Sequence, residues 1–454
     1  MNKIIKRLSI LPLLFIVLGC STQGNSHSED SHPDNSDSDQ INAESRLLRS
    51  PEGLNHSVDG SELRSPEYLS FKSKIKNLAS RVSESFASRE YKENENVTIS
   101  PLSIEMCLGL AIASANGETR EELLDLFDLD YETFNRYYHV FFNELSHEIY
   151  GYEDELISQI LLTNSIWLDN GASLLDNGLD HLRNDYYCYS YEVDFDEKNA
   201  ASNKAIQEFI EEKTKGLIKP TLNLSPETLF VLMNTLYLKD IWNEGGLDLS
   251  YMDDGYTFKN NDGTISNKKL LTGGYFEGKA LSNDSGQAFF TSTLNGLTLY
   301  LLKPNDGVSL TSLLSKDNIL EFTNRNNYTF KDEDNIYFTR CIFPEFESET
   351  NIDLKPMFVD DLNINKIFTD ECDFTNLTYT PVSCSDFRHI AKLKVNKGGI
   401  EGAAVTMMSY EGTSIDEDPR KKVYEDFLVD HSFAYVLTYH DSVLFSGITT
   451  NIDK

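Results

Sequence analysis

Six cysteines (20, 107, 188, 341, 372 and 384) and nine histidines are the side chains of this 454-residue sequence best suited to metal binding or nucleophilic attack. Their spacing supports neither use. No CxxC or CxxH pair occurs, so neither structural zinc nor a disulfide framework is expected, although one disulfide would fit the count. His27, His32 and His56 lie in a polar stretch without the helical spacing that would set two rings on one face. There is no GxSxG elbow, HExxH, phosphate-binding loop or GxGxxG turn. The expectation is therefore a protein that is not an enzyme and carries no cofactor or metal. The 73 acidic residues against 40 basic give a net charge of −33. That excess disfavours a nucleic-acid partner, because phosphate binding needs concentrated Lys and Arg.

Cys20 stands apart. Lys3, Lys6 and Arg7 precede a mostly apolar run from Leu8 to Leu18, too short to span a bilayer and of signal-peptide length. The run ends in Leu18-Gly19-Cys20-Ser21, which resembles the bacterial lipobox, whose cysteine becomes the lipidated first residue. A signal peptide over 1–19 is expected, then a flexible acidic tether over 20–65 rich in Ser, Asp and Asn, then one globular domain over 66–454. Such a protein would be held in the cell envelope by its Cys20 lipid, at the outer membrane or cell surface. The other five thiols are expected to be mostly buried and free. One pentapeptide, Leu48–Glu52, recurs as Leu63–Glu67; no longer repeat is present.

Residues 68–90 carry Leu69, Phe71, Ile75, Leu78, Val82 and Phe86 at mostly three- and four-residue steps, a helical period. Pro101 suits the first turn of a second helix, which Asn116-Gly117 ends. Thr119 and Glu122 have the spacing of a capping box for a third. A further helix is expected over 202–216. Beyond Leu229 the pattern turns to apolar, β-rich runs at 229–238, 288–302, 336–343 and 433–448. Helices first and strands later imply an α+β domain.

Several separated motifs together resemble the serpin family from about residue 68 to the end. They are Asn96–Ser103, the Ala115–Leu123 junction, Asn164 before Trp167, Thr214–Ile218, Asn234–Trp242 with Asp240 where the family has Gly, His389, and Asp430–Phe433 with Ser432 where the family has Pro. The resemblance implies the serpin fold: N-terminal helices, a large central mixed sheet, further sheets and an exposed reactive-centre loop near the C-terminus. It implies that Ser100, Ser103, Asn234 and His389 form a buried polar cluster (the shutter) under the central strands. It places Trp242 at the breach, where strand insertion begins.

Residues 396–413 resemble the serpin hinge and bait loop, with Gly399, Ile400, Glu401, Gly402, Ala403, Ala404, Val405 and Thr406 as the hinge. Inhibition in that family requires the cut loop to enter a sheet as an extra strand. Side chains alternate faces in a strand, so Ile400, Gly402, Ala404, Thr406, Met408 and Tyr410 would point inward and Glu401 outward, where its carboxylate stays wet. None of the inward set is charged, and Pro is absent until Pro419. Lys397 and Gly398 replace the family's acidic pair, Ile400 a small residue and Gly402 an alanine. Family spacing puts the scissile bond at Thr413–Ser414, which would suit an elastase-like protease; Tyr410, Arg420 and Lys421 are alternative cut positions. The resemblance thus implies a monomeric suicide inhibitor of a serine or cysteine protease. The other reading is a non-inhibitory serpin that acts as a surface binding protein.

Overall fold

The computed structural model describes residues 11–21 (backbone only), 45–53, 59–151, 156–243, 249–252, 255–401 and 420–453. The chain opens with strands β1 (Leu11–Ser21) and β2 (Arg46–Arg49), then helix α1 (Pro66–Glu90), β3 (Val97–Ile99), α2 (Pro101–Ser114), α3 (Gly117–Phe127) and α4 (Tyr131–Leu145). Next come β4 (His147–Tyr150), β5 (Leu156–Asp169), α5 (Asp176–Tyr186), β6 (Cys188–Val193), α6 (Asn199–Lys213) and β7 (Phe230–Ile241). Short strands β8 (Ser250–Tyr251), β9 (Leu271–Thr272), β10 (Phe276–Glu277) and β11 (Leu281–Ser282) lead to β12 (Gly286–Ser292), β13 (Thr298–Pro304) and α7 (Lys316–Phe322). The C-terminal part holds β14 (Asn335–Phe343), β15 (Phe346–Asp353), α8 (Lys355–Asp360), β16 (Val382–Asn396), β17 (Gly399–Ile400), β18 (Lys421–Leu428), β19 (Phe433–Tyr439) and β20 (Ser442–Thr449).

Three sheets result. The central one runs β15, β16, then β1 and β17, then β7, β5, β6 and β2, with β4 paired to β5. A second contains β10, β14, β9 and β8 with β18 on β14; the third runs β11, β12, β13, β19, β20, β3. Alternate residues of the central strands bury on opposite faces. On one face Trp167, Val231 and Met233 pack with Ile206, Phe209 and Ile210 of α6. On the other, Ile166, Leu168, Phe230 and Leu232 join a core with α2, every residue of which is buried. A strand covered on both faces reads as a continuous apolar run, which is why 229–238 shows no alternation. Among the described residues no helix is long and apolar enough to cross a membrane, and Cys107, Cys188, Cys341, Cys372 and Cys384 are all free thiols.

Two local expectations are corrected. Thr119 and Glu122 do not cap α3; Asn116 is its N-cap residue, and Gly117 (φ +48°) starts the helix three positions earlier. Thr119 Oγ1 accepts instead from Asp373 N at 3.0 Å, and Glu122 Oε2 accepts from the backbone of Asn365 (3.1 Å) and Lys366 (2.8 Å). Long-range partners thus took both members of the apparent box. The second correction concerns the tether. Arg46–Arg49, inside the span assigned to it by composition, is the outermost strand of the central sheet, antiparallel to β6. Leu47 and Leu48 pack on opposite clusters, Arg46 grips Glu192 (2.7 Å), and Arg49 grips Asp180 (2.8 Å) and Asp176 (2.9 Å). A composition average over the whole span hides so short an amphipathic stretch. The repeated pentapeptide accordingly has two structures: the first copy ends β2, whereas in the second Ser65 caps α1 by accepting from Tyr68 N at 3.2 Å.

Candidate functional site

The parallel strands β7 and β16 are the inner pair of the central sheet, and they are not bonded to each other. The slot between them is filled from both ends. From above, β16 turns back at Lys397-Gly398, so Gly399 and Ile400 pair antiparallel with Asn396 and Val395 on one side and with Ile241 and Asp240 on the other. Trp242 closes this end: its indole Nε1 donates to the Asn396 carbonyl at 2.8 Å. From below, β1 runs parallel to both strands, Leu13–Ser21 against Phe230–Leu238 and Leu11–Cys20 against Val382–Lys392. Cys20, the expected lipidation site, therefore sits opposite Tyr237 and Lys392.

Gly399 is required at the turn-in. A Cβ there would lie 2.1 Å from the Asp240 carbonyl oxygen. Gly399→Ala is expected to loosen the β17 pairing at a cost of roughly 1–3 kcal/mol, read as faster amide exchange at Ile400 and Glu401 with the rest of the domain unchanged. Ile400 is fully buried, as expected for an inward position. Glu401 is not on a wet face. It is 2% exposed, in the left-handed region (φ +60°), and its Oε1 accepts from the Tyr237 hydroxyl at 2.8 Å. The outward expectation assumed unbroken alternation; the left-handed conformation at Glu401 ends it and brings the carboxyl to Tyr237 of β7.

Burial pushes the Glu401 carboxyl up to about 8 against the pull of Tyr237, Lys239 and Lys394. Its Oε2 has no partner among the described residues, as suits a protonated acid. Because the buried form holds its proton more tightly than an exposed glutamate, the contact stabilises fully below the ordinary value of 4.5 and is lost as pH rises through about 8. Raising the pH from 6 to 9 is therefore expected to lower the protection factors of the amides at 399–401, their exchange being corrected for the base catalysis that speeds every amide. Glu401→Gln should remove most of that dependence; an unchanged pH profile in the variant would place the titration elsewhere.

Asp240 stands beside this turn. Burial raises its carboxyl to about 6 although Thr293, Asn295 and the Ile241 backbone all donate to it. These bonds tie the top of β7 to the turn between β12 and β13. Sequence reading noticed Asp240 only as a departure from a motif; that a carboxylate replaced glycine in an apolar strand was the available signal.

Lower in the slot, Ser100, Ser103, Asn164, Asn234 and His389 are all fully buried. Ser100 N donates to His389 Nε2 (3.1 Å), Ser100 Oγ donates to the Leu444 carbonyl (2.9 Å) and accepts from Ser103 N (3.3 Å). Asn234 belongs to a second set: its Nδ2 donates to Asn164 Oδ1 (2.9 Å), and Asn164 Nδ2 donates to the Tyr138 hydroxyl (2.9 Å) and the Tyr186 carbonyl (2.7 Å). The two sets flank β1 in one row, since Val17 pairs with both Asn234 and His389. The structure therefore brings Ser100, Ser103 and His389 together and holds Asn234 one strand away.

Gly402, Ala403, Ala404, Val405, Thr406, Tyr410, Thr413 and Ser414 lie outside the described residues. Of the alternative cut positions, Lys421 opens β18 and its N–H donates to the Asp334 carbonyl at 2.8 Å; Arg420 precedes it. Cutting there would require the strand to leave β14.

Residues 73–452 match the Serpin (serine protease inhibitor) family. Antitrypsin of Bombyx mori is 25% identical over 395 residues, 83% of this chain and 95% of that protein. Serpin A3-5 of Bos taurus is 28% identical over 367 residues, 79% and 84%. The crystal structure of Serpin48 of Tenebrio molitor superposes with a TM-score of 0.67 at 21% identity, covering 84% of this chain and 98% of that one. That of the thermophilic serpin tengpin in its native state gives 0.65 at 18%, covering 89% and 96%. With the family match spanning most of the sequence and the fold shared with solved serpins, the chain belongs to the serpin family, whose members are in general protease inhibitors rather than enzymes.

Proposed function

We propose that this protein is a suicide inhibitor that traps a serine or cysteine protease by inserting its cut bait loop between β7 and β16. The observation that carries this reading is the pairing of Gly399 and Ile400: the hinge already stands in the slot, antiparallel to both neighbours, with a buried apolar side chain first in line. In the proposed step the protease nucleophile attacks the Thr413 carbonyl. The bond to Ser414 breaks, its nitrogen leaves with a proton, and an acyl-enzyme forms at Thr413. Residues from Gly402 onward then extend β17 down the slot and carry the tethered enzyme away before water completes hydrolysis. Ser100, Ser103, His389 and Asn234 would act as the shutter. With the slot closed, Asn234 and His389 would move from about two strand spacings apart to one, bringing the Asn234 Oδ1, which has no partner among the described residues, within reach of its neighbour.

Membrane attachment through Cys20 at the cell envelope belongs to the same proposal, and it bears on the slot. Processing ahead of Cys20 would remove all of β1 except Cys20 and Ser21 and leave the slot open to the loop. The non-inhibitory reading fits a chain that keeps β1.

The test incubates a chain beginning at Ser45, so that β2 is retained, with elastase-like, trypsin-like and chymotrypsin-like serine proteases and a papain-like cysteine protease. A complex that survives denaturing electrophoresis, with a cut at Thr413–Ser414, is the expected result. Clean cleavage by every enzyme with no complex would transfer the assignment to a binding protein.

A further inference from the structure

On the second sheet, next to the end of the bait loop, side chains of unusual kind stand in solvent. Tyr424 is 56% exposed, Tyr275 41% and Tyr256 38%. Tyr424 and Tyr275 form one surface. Tyr424 stacks on Phe338 at 5.3 Å between centroids, and Tyr275 meets Tyr424 edge-on at 5.0 Å. Arg340 lies 5.3 Å from the Tyr275 ring and is paired with Asp426 at 2.6 Å and 3.1 Å, so that its charge is already answered. The register explains the grouping, since Phe338 pairs with Tyr424 and Arg340 with Asp426 across β14 and β18. Lys422 extends the surface over Phe338, and Lys421 stands exposed at the edge.

Nothing in the fold requires these rings in water. The buried face of the same strands, with Thr339, Cys341 and Phe427, already supplies the packing. Exposed aromatic rings with a pre-formed Arg–Asp pair are the composition found where binding energy concentrates, because Tyr offers large rigid area at low entropic cost. Lys422 gives this face one cation, while the exposed Glu277 stands in register with Phe338.

We propose that the Tyr275–Tyr424 face is a second docking surface for the body of the protease that engages the bait loop. The inference rests on the inhibitory reading above, and chain continuity chooses the occupant. Tyr424 lies ten positions beyond Ser414, at most about 33 Å of extended chain. A 230-residue protease has a radius of gyration of about 17 Å. An enzyme seated on Thr413 is thus tethered within about its own width of β18, and the matching patch on it would be apolar at the centre with an acid opposite Lys422.

The experiment measures, with pancreatic elastase, trypsin, chymotrypsin and papain, the second-order rate at which intact full-length chain is consumed, counting complex and cut product together. That total reports docking, whereas the ratio of complex to cut product, measured on the chain beginning at Ser45, reports inhibition, so the two readings fail separately. For Y275A/Y424A a fall of tenfold or more is expected with at least one enzyme that cuts within 402–419. A Tyr379→Ala variant, which removes a ring that is 74% exposed elsewhere, should react at an unchanged rate. Equal rates for Y275A/Y424A and the parent, with matching thermal midpoints, would overturn the proposal. So would a parent that sediments as a dimer and a variant that does not, since the face would then serve self-association. A loop that no enzyme cuts would sink both readings.

Discussion

Ile400→Arg is expected to turn the protein from an inhibitor into a substrate. The side chain at this position is fully buried and is the first to enter between β7 and β16. Its surroundings are the apolar top of the slot, with the Asp240 carboxyl engaged by Thr293 and Asn295 and the Glu401 carboxyl by Tyr237. An arginine there would be an uncompensated buried charge costing about 3–5 kcal/mol, or roughly 10²–10⁴ in the rate of insertion if the transition state already contains that contact. Hydrolysis of the acyl-enzyme is untouched, so water wins the competition. Denaturing gels should show cut chain and free, active protease where the parent gives a covalent complex. Ile400→Val keeps the shape and removes one methylene, for roughly 1 kcal/mol, and should remain an inhibitor. A full yield of complex from the arginine variant would mean that Ile400 does not enter the core during trapping.

That prediction could be framed from sequence because inward positions follow from strand alternation. The position of Glu401 could not. Alternation holds only while the strand is regular, and the left-handed residue at 401 breaks it. No residue type announces such a kink in a chain where glycine is available on both sides. The burial of Glu401 beside Tyr237 is a tertiary fact, and it converts a residue read as a wet carboxylate into one whose carboxyl is pushed up to about 8. The long elements were legible for a different reason. In α1 the apolar period covers a whole buried face, and β7 is buried on both faces, so the pattern is dense enough to survive exceptions. The polar layer lies between these cases. Ser100, Ser103, Asn234 and His389 were singled out by their motifs, but which of them touch depends on what stands between β7 and β16, and a motif carries no information on that.

The occupant of the slot also sets the other large effect. A chain that keeps Leu11–Ser21 is expected to be cut in its bait loop without trapping the protease. Strand β1 takes the register of β7 from Phe230 to Leu238, and β17 takes Asp240 and Ile241, so the two meet at Lys239 and no row is left for Gly402 and its successors. Insertion would first have to strip β1 from hydrogen-bonded ladders on both sides, each bond worth about 1 kcal/mol net. A chain beginning at Ser45 has no such competitor. Its cut loop would gain those ladders, raising the thermal midpoint on the order of 10 °C or more, while the cut full-length chain should melt where the uncut one does. The comparison needs only two chain lengths, one protease that cuts within 402–419 and a thermal scan before and after cutting. If the full-length chain also gained stability on cleavage, β1 would have to be weakly held and displaced by the loop, and the hinge rather than the N-terminal strand would own the slot. If neither chain gained it, Gly399 and Ile400 would mark the full depth of insertion, and the contact of Glu401 with Tyr237 would be a stop rather than a start.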